Sequence, residues 1–107
     1  MILLAFDVDG TLDTSAGPVP WAKVRQMAQA MPQVALGIVS PSGARPKDDT
    51  LAYIAGSGLR RDNLLAFYRA YPGAWLRIYV SDNGDTAEAD AAGFALLTPQ
   101  QFVVALR

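Results

Sequence analysis

Four short runs of this chain are apolar almost without interruption, and each is followed by polar residues. They are ILLAFD at 2–7, VALGIV at 34–39, WLRIYV at 75–80 and FALL at 94–97. Short continuous runs read as strands buried on both faces, whereas half-exposed strands alternate apolar with polar. Between the runs the period changes. Trp21, Val24, Met27, Ala28 and Met31 recur at helical spacing, which predicts a helix over 20–31 that Pro20 suits at its first turn and Pro32 ends. Asp48 and Asp49 suit the start of a helix running to about residue 55, closed by the GSG of 56–58. Asp62 is placed to cap a helix over 63–71, whose Leu64, Leu65, Phe67, Tyr68 and Tyr71 form one broad apolar face before Pro72-Gly73 stops it. An alanine-rich helix is expected over 86–92, ended by Gly93, and a last one over 99–106 capped by Thr98. Trp21, Trp75, Phe67 and the tyrosines are expected in the core.

Strands that alternate with helices, and are themselves almost continuously apolar, predict an α/β fold: a short parallel sheet covered by helices on both faces. With 107 residues and no internal repeat or linker, residues 1–107 read as one domain. The formal net charge of −1 argues against nucleic acid as a partner. The chain has no Cys, which removes disulfides, thiolate zinc sites and a thiol nucleophile, and no His, which removes every Ser-His triad. Acid–base chemistry therefore falls to carboxylates, Lys or Tyr. The first apolar run has no basic flank and meets Asp7, so neither a signal peptide nor a membrane span is expected there, and a cytoplasmic location is.

In a parallel sheet covered on both faces, ligands sit at the carboxyl ends of the strands. The first strand ends in Asp7-Val8-Asp9, the second in Ser40, and the third in Ser81-Asp82-Asn83-Gly84-Asp85. Carboxylates gathered there repel: two charges ~4 Å apart cost about 4 kcal/mol at an effective dielectric near 20. Protonation or a cation must relieve this. An all-oxygen donor set selects a hard ion, with Mg²⁺ the usual one where phosphate also binds.

The stretch AFDVDGTL resembles the first motif of the haloacid dehalogenase-like hydrolases, an apolar strand running into DxDGT and then Leu or Val. Ser40 stands where that family keeps its second motif, and YVSDNGDTAEADAAGF resembles its fourth. The likeness runs from residue 2 to about 97, and it implies a three-layer Rossmann-like domain and a Mg²⁺-dependent phosphohydrolase working through an aspartyl-phosphate. By that resemblance Asp7 is the nucleophile and Asp9 the general acid, then base. Mg²⁺ would be held by Asp7, the Asp9 carbonyl, Asp82 and Asp85. Ser40 would bind phosphate, Gly10 would allow the turn after the strand, and Thr11 would brace the loop. The third motif, normally Lys, has three candidates: Lys47 by chemistry, and Arg60 or Arg61 by position, with Arg60 favoured.

The chain also departs from the family. Pro41 lacks an N–H where relatives offer one to phosphate, and only two residues separate Asp82 from Asp85 where three are usual. Asp85 reads equally as a helix cap, and Ser40 nearly as well as a plain loop hydroxyl. Asp13, Asp48, Asp49, Asp62 and Asp90 read as caps or solvated faces. No cap domain fits in the chain. An open site of that kind suits a large phosphorylated substrate or a homo-oligomer whose neighbour covers it. The sheet is one strand short of the family's five unless a brief strand lies near 58–59. A second reading stays open: a catalytically weak relative that binds metal and phosphoryl groups in a regulatory role. A response-regulator receiver domain and a metal-dependent nuclease rank lower. The first expects adjacent acids after the first strand and a Lys after the last, and the second expects a basic face.

Overall fold

The computed structural model describes residues 1–40, 46, 51, 53–54, 58–82 and 86–106. Among them are five strands: β1 (Ile2–Phe6), β2 (Val34–Ile38), β3 (Tyr53–Ile54), β4 (Leu76–Val80) and β5 (Ala95–Leu97). Four α-helices accompany them: α1 (Trp21–Ala30), α2 (Arg60–Ala70), α3 (Thr86–Ala91) and α4 (Pro99–Leu106). The strands form one sheet in the order β3-β2-β1-β4-β5 with every pairing parallel. β1 lies at its centre, with Phe6 level with Ile38 on one side and with Val80 on the other.

The connections explain where the helices lie. From β1 the chain moves one way along the sheet to β2, and from β3 it returns past β1 to β4. Crossovers between parallel strands are right-handed, so opposite directions of travel put α1 and α2 on opposite faces. The packing agrees. Leu3, Ala5 and Tyr79 of the strands meet Leu64 and Phe67 of α2 and Ala89 of α3. Leu4, Phe6 and Val80 meet Trp21 and Val24 of α1 and Phe102 of α4. Alternate residues of β1 thus feed two separate cores, and for this reason its sequence shows no polar alternation. Gly37 of β2 allows one close approach: a Cβ there would come 2.6 Å from Cε2 of Phe67.

Three expectations need correction. The fifth strand lies at Tyr53–Ile54, inside the segment expected to be helical to residue 55 and not near 58–59. Two residues suffice because β3 adds only an edge pairing to Gly37 and Ile38 of β2, while the Tyr53 ring stacks on Phe67 at 5.1 Å. Helix α2 starts at Arg60 with Leu59 at its cap position, so Asp62 is a first-turn acid and not the cap. The Glu88 carboxylate of α3 instead accepts the Arg61 backbone N–H, at 3.1 Å. Trp75 is 71% exposed rather than in the core, because it precedes β4 at the amino rim of the sheet, beyond the helical cover. Other ends fall close to expectation. Thr98 and Gln101 form a reciprocal cap on α4, with Gln101 N–H donating to Thr98 Oγ1 and Thr98 N–H to Gln101 Oε1. No helix among the described residues is long and apolar enough to cross a membrane.

Candidate active site

At β1 the sheet order reverses direction, and in open parallel sheets a switch point of this kind is where ligands sit, at the carboxyl ends of the strands, here β1 and β4. Asp7 is the first residue past β1. Its N–H continues the ladder to Val80 O, and on the other side the Val39 N–H reaches Phe6 O. Asp7 is held between two strands and is only 2% exposed. A buried carboxylate needs partners. Its Oδ1 accepts the Val8 N–H at 2.9 Å. Its Oδ2 accepts from Arg60 Nη2 at 3.3 Å and from Ser81 Oγ at 3.3 Å. The positive charge facing Asp7 among the described residues is therefore a guanidinium from the first turn of α2.

The start of α2 settles which arginine can do this. Side chains of a helix's first turn lean back past its N-terminus. Arg60, the first residue of α2, leans over the sheet edge to Asp7. Arg61, one residue on, pairs with Asp62 at the surface, at 3.6 Å.

After Asp7 the chain turns sharply. Gly10 has φ +73°, and its N–H donates to Ser15 O. A side chain at this position would collide with Asp82 Oδ2, so the loop passes directly against the acid at the end of β4. Thr11, fully buried, fastens the loop: its N–H donates to Val8 O, its carbonyl accepts from Val19 N–H, and its hydroxyl lies 3.5 Å from Asp82 Oδ1. Beyond it, Asp13 Oδ1 accepts the Trp21 N–H at 3.1 Å and so fastens the start of α1. Asp9 is exposed on the same loop, Asp82 is exposed, and Ser40 is buried just past β2, one strand from Asp7. Lys47, Asp85 and Pro41 lie outside the described residues.

Two residues in this site carried no assigned role from sequence: Ser81, bonded to Asp7, and Tyr79, bonded to Arg60. Ser81 directly precedes Asp82 in the strand-end run, which was its only signal. The donors present suit a hard cation. Asp7 and Asp82 supply carboxylate oxygens from adjacent strands, the intervening loop has no side chain at Gly10 to block Asp82, and no thiolate or imidazole exists in the chain. Among the described residues no three acidic side chains gather as a metal-holding group. No family model matches this chain, nor does any curated protein or solved structure.

Proposed function

We propose that this chain is a cap-less relative of the haloacid dehalogenase-like hydrolases, with their three-layer Rossmann-like arrangement, and that it hydrolyses phosphate monoesters through Asp7. The support is a single arrangement. A buried carboxylate sits at the carboxyl end of the central strand, at the switch point, with a guanidinium and a hydroxyl on one oxygen. A nucleophile that must meet an anionic phosphate gains from a fixed positive charge beside it.

In this reading Asp7 attacks phosphorus. The new bond is from carboxylate oxygen to phosphorus, and the bond to the leaving oxygen breaks. Asp9, exposed on the loop two residues on, gives that oxygen a proton. Water then attacks the aspartyl-phosphate, Asp9 takes the water's proton, and phosphate departs with Asp7 restored. Arg60 offsets the charge on Asp7 and on the arriving phosphoryl group. Ser40 and Lys47 are placed by the resemblance to contact phosphate. Mg²⁺, held by Asp7, Asp82, the Asp9 carbonyl and Asp85, would supply neutralisation of phosphate charge.

The exposed position of Asp9, with no cap domain among the described residues, leaves the site open, which suits a large phosphorylated substrate or coverage by a second copy of the chain. The test is hydrolysis of an aryl phosphate with and without Mg²⁺, by the natural chain and by Asp7→Asn. Mg²⁺-dependent turnover that the substitution abolishes supports the reading. Turnover that survives it refutes the mechanism. Mg²⁺ binding with no turnover on a broad phosphate panel would favour the regulatory alternative, for which Pro41 after Ser40 is the sequence feature.

A further inference from the structure

Among the described residues, Arg60 is held from two sides. One side is Asp7. The other is Tyr79 of β4, whose hydroxyl oxygen lies 3.1 Å from Arg60 Nε and 2.9 Å from the Val39 carbonyl. The chemistry fixes the direction of both bonds. The Val39 carbonyl can only accept, so the tyrosine O–H donates to it, and a guanidinium can only donate, so Nε–H points at the remaining lone pair. Tyr79 is fully buried among apolar residues on the α2 face of the sheet. There a phenylalanine would fill the same space without needing any partner.

The register shows how the ring reaches. Tyr79 stands level with Ala5 of β1, and Ala5 is level with Gly37 of β2. The small Ala5 leaves a path from β4 across the central strand toward the end of β2, while the space over Gly37 is taken by the Phe67 ring. The hydroxyl therefore arrives on the same face of the sheet as Asp7, two residues beyond Ala5 on β1.

We propose that Tyr79 is a positioning residue of this site: its hydroxyl, fixed by the Val39 carbonyl, sets the plane of the Arg60 guanidinium and so aims Nη2 at Asp7. The guanidinium is planar and rigid, so holding Nε fixes where both terminal nitrogens point. Its catalytic consequence rests on the reading of Asp7 as nucleophile given above; the aiming of Arg60 does not.

The experiment is Tyr79→Phe, which keeps the ring and removes the hydroxyl. By ¹⁵N NMR, the Arg60 Nε–H is expected to exchange with solvent at least about tenfold faster in the variant, because a protecting hydrogen bond is lost. In the aryl phosphate assay kcat falls about tenfold with KM nearly unchanged, since aim and not binding is lost. In an Arg60→Ala background the same change alters kcat by less than about twofold, because the two residues act as one unit. Unchanged Nε–H exchange in Tyr79→Phe, or losses that add in full, would overturn the proposal and leave the hydroxyl a structural partner of Val39. If the variant does not fold, the natural chain decides: an Arg60 Nε–H that exchanges as fast as that of exposed Arg69 overturns it. If the natural chain turns over no phosphate ester, the hydrolase reading fails while the exchange measurement still judges Tyr79.

Discussion

The Asp7–Arg60 contact has a strength that can be worked out and measured. At 3.3 Å the gross attraction is about 5 kcal/mol at an effective dielectric near 20. Part of this is offset by desolvation, because the Asp7 side chain is 3% exposed and that of Arg60 19%. Among the described residues, Arg60→Gln would leave the buried carboxylate with the Val8 N–H and the Ser81 hydroxyl. Breaking a fully buried pair costs about 3–5 kcal/mol. Arg60 is a fifth exposed, so water can partly replace it and the expected cost is about 2–3 kcal/mol. Asp7→Asn alone leaves a guanidinium that water can reach and costs less. The double variant should recover part of the loss, giving a coupling energy of about 1.5–2.5 kcal/mol. Urea unfolding of the four proteins reads this. With an m-value of about 1.2 kcal/mol/M, Arg60→Gln lowers the midpoint by roughly 2 M. A coupling energy within about 0.5 kcal/mol of zero would refute the claim that Arg60 neutralises Asp7 in the folded state.

Other consequences follow from the same site and its supports. If Mg²⁺ binds between Asp7 and Asp82, the ion at tenfold its Kd adds about 1.4 kcal/mol and raises the melting temperature by roughly 5–10 °C, and Asp82→Ala abolishes the increase in a calorimetric scan. Gly10→Ala meets both a left-handed backbone at φ +73° and the Asp82 carboxylate, so it should cost about 1–3 kcal/mol in urea unfolding and weaken the Mg²⁺ effect. Asp13→Ala removes the acceptor for the Trp21 N–H at the start of α1 and should cost about 1 kcal/mol, with turnover otherwise intact; a loss of turnover in the folded variant would instead place Asp13 in the site.

The parts of this fold that the sequence made legible are those whose burial is set locally. β1 and β2 are apolar on both faces, β4 is so apart from Arg77, and the end of each run coincides with a polar residue that the sheet carries to one edge. Asp7 and Asp82 could be placed opposite each other because parallel strands must end on the same side. β3 was not legible because its two residues take their order from a neighbour, the edge of β2, and from the Phe67 ring, neither of which leaves a period in the sequence. Position in the sequence favours Arg60 over Arg61, but the physical reason that Arg60 faces Asp7 is where α2 begins. An apolar face that starts at Leu64 gives no sign that Leu59 and Glu88 draw the helix back to Arg60. Tyr79 was hidden for a related reason: a tyrosine in a strand reads as core, and its hydroxyl gains meaning only once Val39 and Arg60 are seen to meet it.

The central claim is that Asp7 becomes covalently phosphorylated. The most direct measurement is borohydride trapping during turnover of an aryl phosphate, since reduction of an acyl phosphate converts its aspartate to homoserine, read by peptide mass spectrometry. The account predicts homoserine at position 7, only in the presence of substrate and Mg²⁺, and none in Asp7→Asn. Steady release of phosphate with position 7 unmodified, or with homoserine at another aspartate, would contradict it.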